Sequence, residues 1–145
     1  MKQTGLALLV ALGLAWAGSA EDVDVMATYL APQEEGGPWI VVSLLPKVPD
    51  IRVNESPAPR IKLDPQQKTL IYQPPTDRSA SPGPALSGAR YLDPETPVRF
   101  PVKLAPRAPR GTHLVKATIT YFYCSKRQGW CKKGTADVEV AVTVR

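Results

Sequence analysis

The chain has little with which to build conventional catalysis. It carries one histidine, His113, two cysteines and no glycine-rich phosphate loop. A Ser-His-Asp or Cys-His arrangement would have to use His113, which falls near the far end of its predicted strand from Cys124. A structural histidine at a strand end is the expectation. A copper or zinc site would need His113, both cysteines and Met26, with the thiols kept reduced in an oxidising place, so no metal or other cofactor is expected. The carboxylates Glu34-Glu35 and Asp93-Pro94-Glu95 sit on turn-like segments with nothing to set them across a cleft. Asn54-Glu55-Ser56 fits a glycosylation acceptor pattern, but Pro57 follows, and the match reads as chance.

Long apolar runs are equally scarce. The only one spans Leu6 to Ala17, with Lys2 before it and the small residues Gly18, Ser19 and Ala20 after it. Those are the three parts of a secretory signal, so cleavage is expected between Ala20 and Glu21. The run is shorter than the about 20 residues a spanning helix needs, so no stable membrane span is expected after cleavage. An uncleaved signal acting as a tether is the alternative. Residues 1–20 therefore read as a signal peptide and 21–145 as one domain. Its about 125 residues suffice to bury a core. The expected location is the periplasm or the outside of the cell.

Long helices are excluded from most of that domain, because sixteen prolines from Pro32 to Pro109 each remove a backbone donor and clash with the preceding turn. A dense basic stripe is also missing. The net charge of +5 is spread along the chain, with a short cluster only around the cysteines. Nucleic acid is not an expected partner. An acidic protein surface fits better, and a mildly basic solvated surface is the plainer account.

What the sequence does have is strand rhythm. Apolar stretches recur between proline and glycine punctuation at 22–30, 39–45, 51–53, 60–63, 69–73, 98–104, 113–124 and 136–144. The pattern predicts an all-β sandwich. Residues 74–88, rich in Pro, Ser and Gly, cannot hold a ladder and read as a surface loop.

The last two strands can be aligned. Val115, Ala117, Ile119, Tyr121 and Tyr123 alternate with Lys116, Thr118 and Thr120; Val138, Val140, Val142 and Val144 alternate with Glu139 and Thr143. Setting Cys124 opposite Cys131 puts Ile119 against Ala136, Ala117 against Val138, Val115 against Val140 and Lys116 against Glu139. Apolar faces then meet apolar faces and opposite charges meet. A slip of one residue spoils every match, whereas a slip of two stays open. In this register both sulfurs fall on the polar face, unless a bulge near Gly134 reverses it. Directly opposed residues lie about 4.5 to 5.5 Å apart at Cα, within a disulfide's reach.

The run from Tyr91 to Val144 contains Arg99-Phe100-Pro101-Val102-Lys103-Leu104, then Gly111-Thr112-His113-Leu114, a strand ending at Cys124, a short loop with an aromatic before Cys131, and a final alternating strand. It resembles the N-terminal periplasmic domain of DsbD-type thiol:disulfide interchange proteins, linked to cytochrome c biogenesis. The resemblance implies an immunoglobulin-like sandwich whose hairpin cysteines carry electrons from a membrane electron donor to exported thioredoxin-like partners. It implies that Cys131 forms the mixed disulfide and that Cys124 resolves it. It also implies a cap loop over the pair, here around Ser79 to Arg90. The Cys-x6-Cys spacing is one residue longer than expected for the family, and the cap candidate has no Phe. The sequence holds no electron-delivering membrane region, so a separate donor protein is expected.

The residues around the pair bear on the same choice. Lys126, Arg127, Lys132 and Lys133 supply positive charge, which favours a thiolate. Phe122, Trp130 and the pair Tyr121 and Tyr123 offer an apolar platform for a docking partner. A second reading stays open. The bond is then a hairpin staple in a non-catalytic binding or assembly domain, with Tyr121 and Tyr123 in the core.

Overall fold

The structure is a computed structural model that describes residues 19–20, 22–32, 37–73 and 91–145. The predicted signal run, Glu34-Glu35, the 74–88 loop and the cap candidate therefore lie outside the described residues, apart from the backbone of Ser19 and Ala20. Described residues form an all-β fold. Its strands are β1 (Ser19–Ala20), β2 (Val23–Leu30), β3 (Trp39–Pro46), β4 (Ile51–Val53), β5 (Arg60–Leu63), β6 (Ile71–Tyr72), β7 (Val98–Pro101), β8 (Lys103–Leu104), β9 (Gly111–Ser125) and β10 (Trp130–Val144). Among the described residues no helix is long and apolar enough to cross a membrane.

Two antiparallel sheets account for most of the described residues. The first runs β1-β2-β3-β7. In the second, β10 lines one side of β9, while β4 and β5 share the other: β5 pairs with Ala117–Thr120 and β4 with Tyr123–Ser125. A small third pairing joins β6 to β8. Alternation explains each strand's sidedness. Val23 and Val25, Ile40 and Val42, and Val98 and Phe100 turn inward from the first sheet, and Val115, Ile119, Tyr121, Val138 and Val140 from the second. All belong to one continuous hydrophobic cluster. Each such side chain contributes about 1.5 to 3 kcal/mol by leaving water.

Two predicted strands are shorter than the sequence suggests. The stretch 69–73 shrinks to Ile71–Tyr72 because a 3-10 turn at Pro65–Gln67, capped by Asp64, precedes it. That turn delivers the Gln67 side chain to β9, where its amide donates to Leu114 O at 3.1 Å and accepts from Lys116 N–H at 2.7 Å. The stretch 98–104 breaks at Val102, which is buried and donates its N–H to Pro38 O at 3.3 Å. The last two strands are longer than predicted, reaching back to Gly111 and Trp130.

The register of β9 against β10 is the one the alternation favours. Cys131 faces Cys124, Ala136 faces Ile119, Val138 faces Ala117, Glu139 faces Lys116 and Val140 faces Val115. The ladder is continuous through Gly134↔Tyr121, with no bulge. Glycine is required there. A Cβ on residue 134 would lie 2.5 Å from the Tyr121 ring, which crosses over it.

Candidate functional site

The site lies at the closed end of the β9–β10 hairpin. Cys124 and Cys131 are bonded, with Cα atoms 4.0 Å apart, closer than the spacing expected for opposed strands. The two sulfurs differ in surroundings. Cys131 is exposed on the outer strand β10, whereas Cys124, on the inner strand β9, is 6% exposed. The polar-face expectation is thus half met. Cys124 is covered without joining the hydrophobic core cluster. Its other strand neighbour is β4, where Arg52 is its Cα partner. Two residues on along that face, Asn54 brings its side-chain oxygen to 3.2 Å from Cys124 Sγ.

Asn54 is fixed by its backbone. Its N–H donates to Phe122 O at 2.7 Å, it forms a bridge with Tyr91, and the next residue, Leu92, donates to Val53 O at 2.8 Å. The chain that follows residue 90 therefore returns beside the disulfide.

The loop between the cysteines is tied down by Asp50. The Ser125 hydroxyl donates a short hydrogen bond to Asp50 Oδ2, Arg127 N–H donates to Asp50 Oδ1 at 2.6 Å, and Lys126 N–H donates to the Asp50 carbonyl at 3.2 Å. The Ser125 hydroxyl and then the Arg127 N–H hold the Asp50 carboxyl below its ordinary value, outweighing an opposing desolvation, with lesser help from the Arg127 and Arg52 charges. Gly129, with φ of 71°, closes the turn in the left-handed region, and its N–H donates to Ser125 O at 3.0 Å.

The predicted supporting residues separate into two groups. Lys126, Arg127 and Lys132 are exposed, and two of them rest on rings: Lys126 Nζ lies 5.8 Å from the Tyr91 centroid and Lys132 Nζ 4.4 Å from that of Trp130. The apolar platform is a correction. Tyr121 and Tyr123 are buried in the core, and Trp130 packs edge-on against Tyr123 with centroids 5.9 Å apart. Strand alternation places Phe122 on the opposite face, the one that carries the cysteines. The four aromatics therefore do not share a surface. His113 Nε2–H donates to Pro109 O, 2.9 Å away, at a strand end. Among the described residues no group of three His, Cys, Asp or Glu could hold a metal ion.

Asn54 and Asp50 are the site residues that sequence reasoning missed. They lie 70 and 75 residues from their partners Cys124 and Ser125, and only strand pairing brings them there. No protein-family model, curated protein or solved structure matches the chain. The chemistry is read from this geometry.

Proposed function

We propose that the chain is an exported thiol-disulfide exchange module, an immunoglobulin-like β-sandwich passing electrons between a reductant and thioredoxin-like proteins through Cys124 and Cys131. The observation that carries the reading is the inequality of the two bonded cysteines, one an exposed residue and one a buried residue. Exchange needs one sulfur that a partner can reach and a second held close enough to resolve the intermediate. A bond acting only as a staple has no use for that difference. The signal-like first twenty residues, which favour a periplasmic or secreted location, and the resemblance to DsbD-type domains support the same reading. The sandwich is supported by the single cluster that draws side chains from both sheets.

In the reduced protein the Cys131 thiolate attacks one sulfur of a partner disulfide. A mixed disulfide forms, and the partner's other sulfur leaves as a thiolate. Cys124 then attacks Cys131 Sγ, so the intramolecular bond forms and the partner departs as a dithiol. The partner gains two electrons and two protons; the chain loses them, and a membrane dithiol donor restores them.

Equilibration against glutathione mixtures tests this. A potential within the about −120 to −270 mV range of exchange proteins is expected, while one below about −300 mV marks a structural bond. A Cys124→Ser variant should accumulate a mixed disulfide with an oxidised thioredoxin-like protein, whereas Cys131→Ser should not. Absence of any mixed disulfide favours a non-catalytic binding or assembly domain.

A further inference from the structure

The cysteine pair is chemically unequal before any partner arrives, and one residue accounts for part of the difference. Cys124 Sγ lies 3.2 Å from Asn54 Oδ1. A disulfide sulfur carries no proton, so in the oxidised protein two lone-pair-bearing atoms meet there. Once the bond is reduced, the Cys124 thiol has a proton to donate to that oxygen. The backbone bonds of Asn54 to Phe122 and its bridge to Tyr91 fix the main chain from which the side chain reaches the sulfur.

We propose that Asn54 keeps Cys124 protonated in the reduced protein and so assigns the first attack to Cys131, an inference that rests on the exchange reading of the pair. The charged and titratable groups around Cys124 cannot make this choice alone. Arg52 of β4, Lys133 of β10 and Lys126 beyond β9 are cations, and they favour the thiolate of either sulfur. Glu55 follows Asn54, the Tyr91 phenol lies across its bridge, and the Asp50 carboxylate is occupied by Ser125 and Arg127. The amide oxygen differs from all of these. It is a neutral acceptor that bonds only the thiol form, and a bond to the neutral form disfavours ionisation. Burial of Cys124 acts in the same direction, while exposed Cys131 keeps its hydration and ionises first. After the first attack, the Cys124 proton passes to the departing partner sulfur, and the thiolate left behind closes the bond with Cys131.

The test is an NMR titration of the phosphine-reduced protein with ¹³Cβ-labelled cysteine, which reads ionisation without depending on access. Single-thiol variants, Cys131→Ser for Cys124 and Cys124→Ser for Cys131, keep the two titrations uncoupled. Cys124 should titrate above Cys131. Asn54→Ala should lower the Cys124 midpoint by about one unit, a tenfold gain in thiolate at a given pH, and leave the Cys131 midpoint in place. Asn54→Asp should raise it, because a carboxylate in the same position repels the thiolate. A Cys124 midpoint that stays put or rises in Asn54→Ala overturns the proposal, as does a Cys131 midpoint above that of Cys124. Two failures are distinguishable. An unshifted midpoint in a protein that does form mixed disulfides removes the role of Asn54 alone. A shifted midpoint in a pair that never exchanges removes the assignment of attack together with the exchange reading.

Discussion

Gly134 and Tyr121 form a unit in which each residue restricts the other. The phenol ring lies over the bare backbone of the glycine, and the ring is fully buried, so it has little room to give. Gly134→Ala should therefore cost about 1 to 3 kcal/mol by overpacking, measured as a lowered urea midpoint at unchanged m-value. The same ring carries a buried hydroxyl with no hydrogen-bond partner among the described residues. Burial first, then the nearby Tyr123, Asp22 and Asp24, pushes its pKa from 10.0 up to about 12. A raised folded-state value means that the neutral phenol's contribution is complete below pH 10 and is lost as pH rises toward 12. At full loss this is on the order of 2 to 3 kcal/mol. Tyr121→Phe should match or slightly exceed the native stability at pH 8 and show a shallower fall between pH 10 and 12. Chemical denaturation at each pH reads the difference.

At the scale of elements, the β9–β10 hairpin carries its own register. Fifteen residues on each side pair without interruption, and from Val115 to Tyr121 every buried position meets a buried position. The disulfide is an addition to this ladder. Closing so short a loop constrains the unfolded chain by only about 2.5 kcal/mol on the chain-entropy account. The double variant Cys124→Ser, Cys131→Ser should accordingly remain folded, with an unchanged far-ultraviolet spectrum and a stability loss no greater than that figure. Unfolding of this variant at room temperature would mean that the bond holds the ladder together. This hairpin was also the most legible part of the sequence. Val115 to Tyr123 and Val138 to Val144 alternate so regularly that only one parity of pairing buries both faces, and that parity brings the cysteines together. The sequence could not choose between slips of two residues; the continuous ladder does. Thr69 to Gln73 was less legible, because a capped turn ahead of it competes for the same backbone and no local pattern reveals which wins.

For the whole molecule, the all-β class was legible because prolines between Pro32 and Pro109 interrupt any long helix across most of the domain, while strand alternation remains readable. The covering of Cys124 was not. Alternation predicts which face a residue takes, but whether that face is wet depends on which strand lies alongside, and β4 arrives from more than 70 residues away. The aromatic platform failed for a related reason. Proximity in sequence grouped Tyr121, Phe122, Tyr123 and Trp130, and the pleat then sent them to different sides.

Asp50 joins residues far apart in the chain, and this has a practical consequence for proteolysis. Lys126-Arg127 is a dibasic pair on an exposed loop, an obvious target for trypsin, yet both of its amide hydrogens are taken by Asp50. A protease must draw its substrate into an extended shape, which would require those bonds to break. Digestion at this pair should be slow in the native protein and several-fold faster in Asp50→Ala, followed by mass spectrometry. Because the cleavage point lies between Cys124 and Cys131, the two fragments stay joined. A nicked molecule would migrate intact on a non-reducing gel and separate only when a reductant opens the bridge.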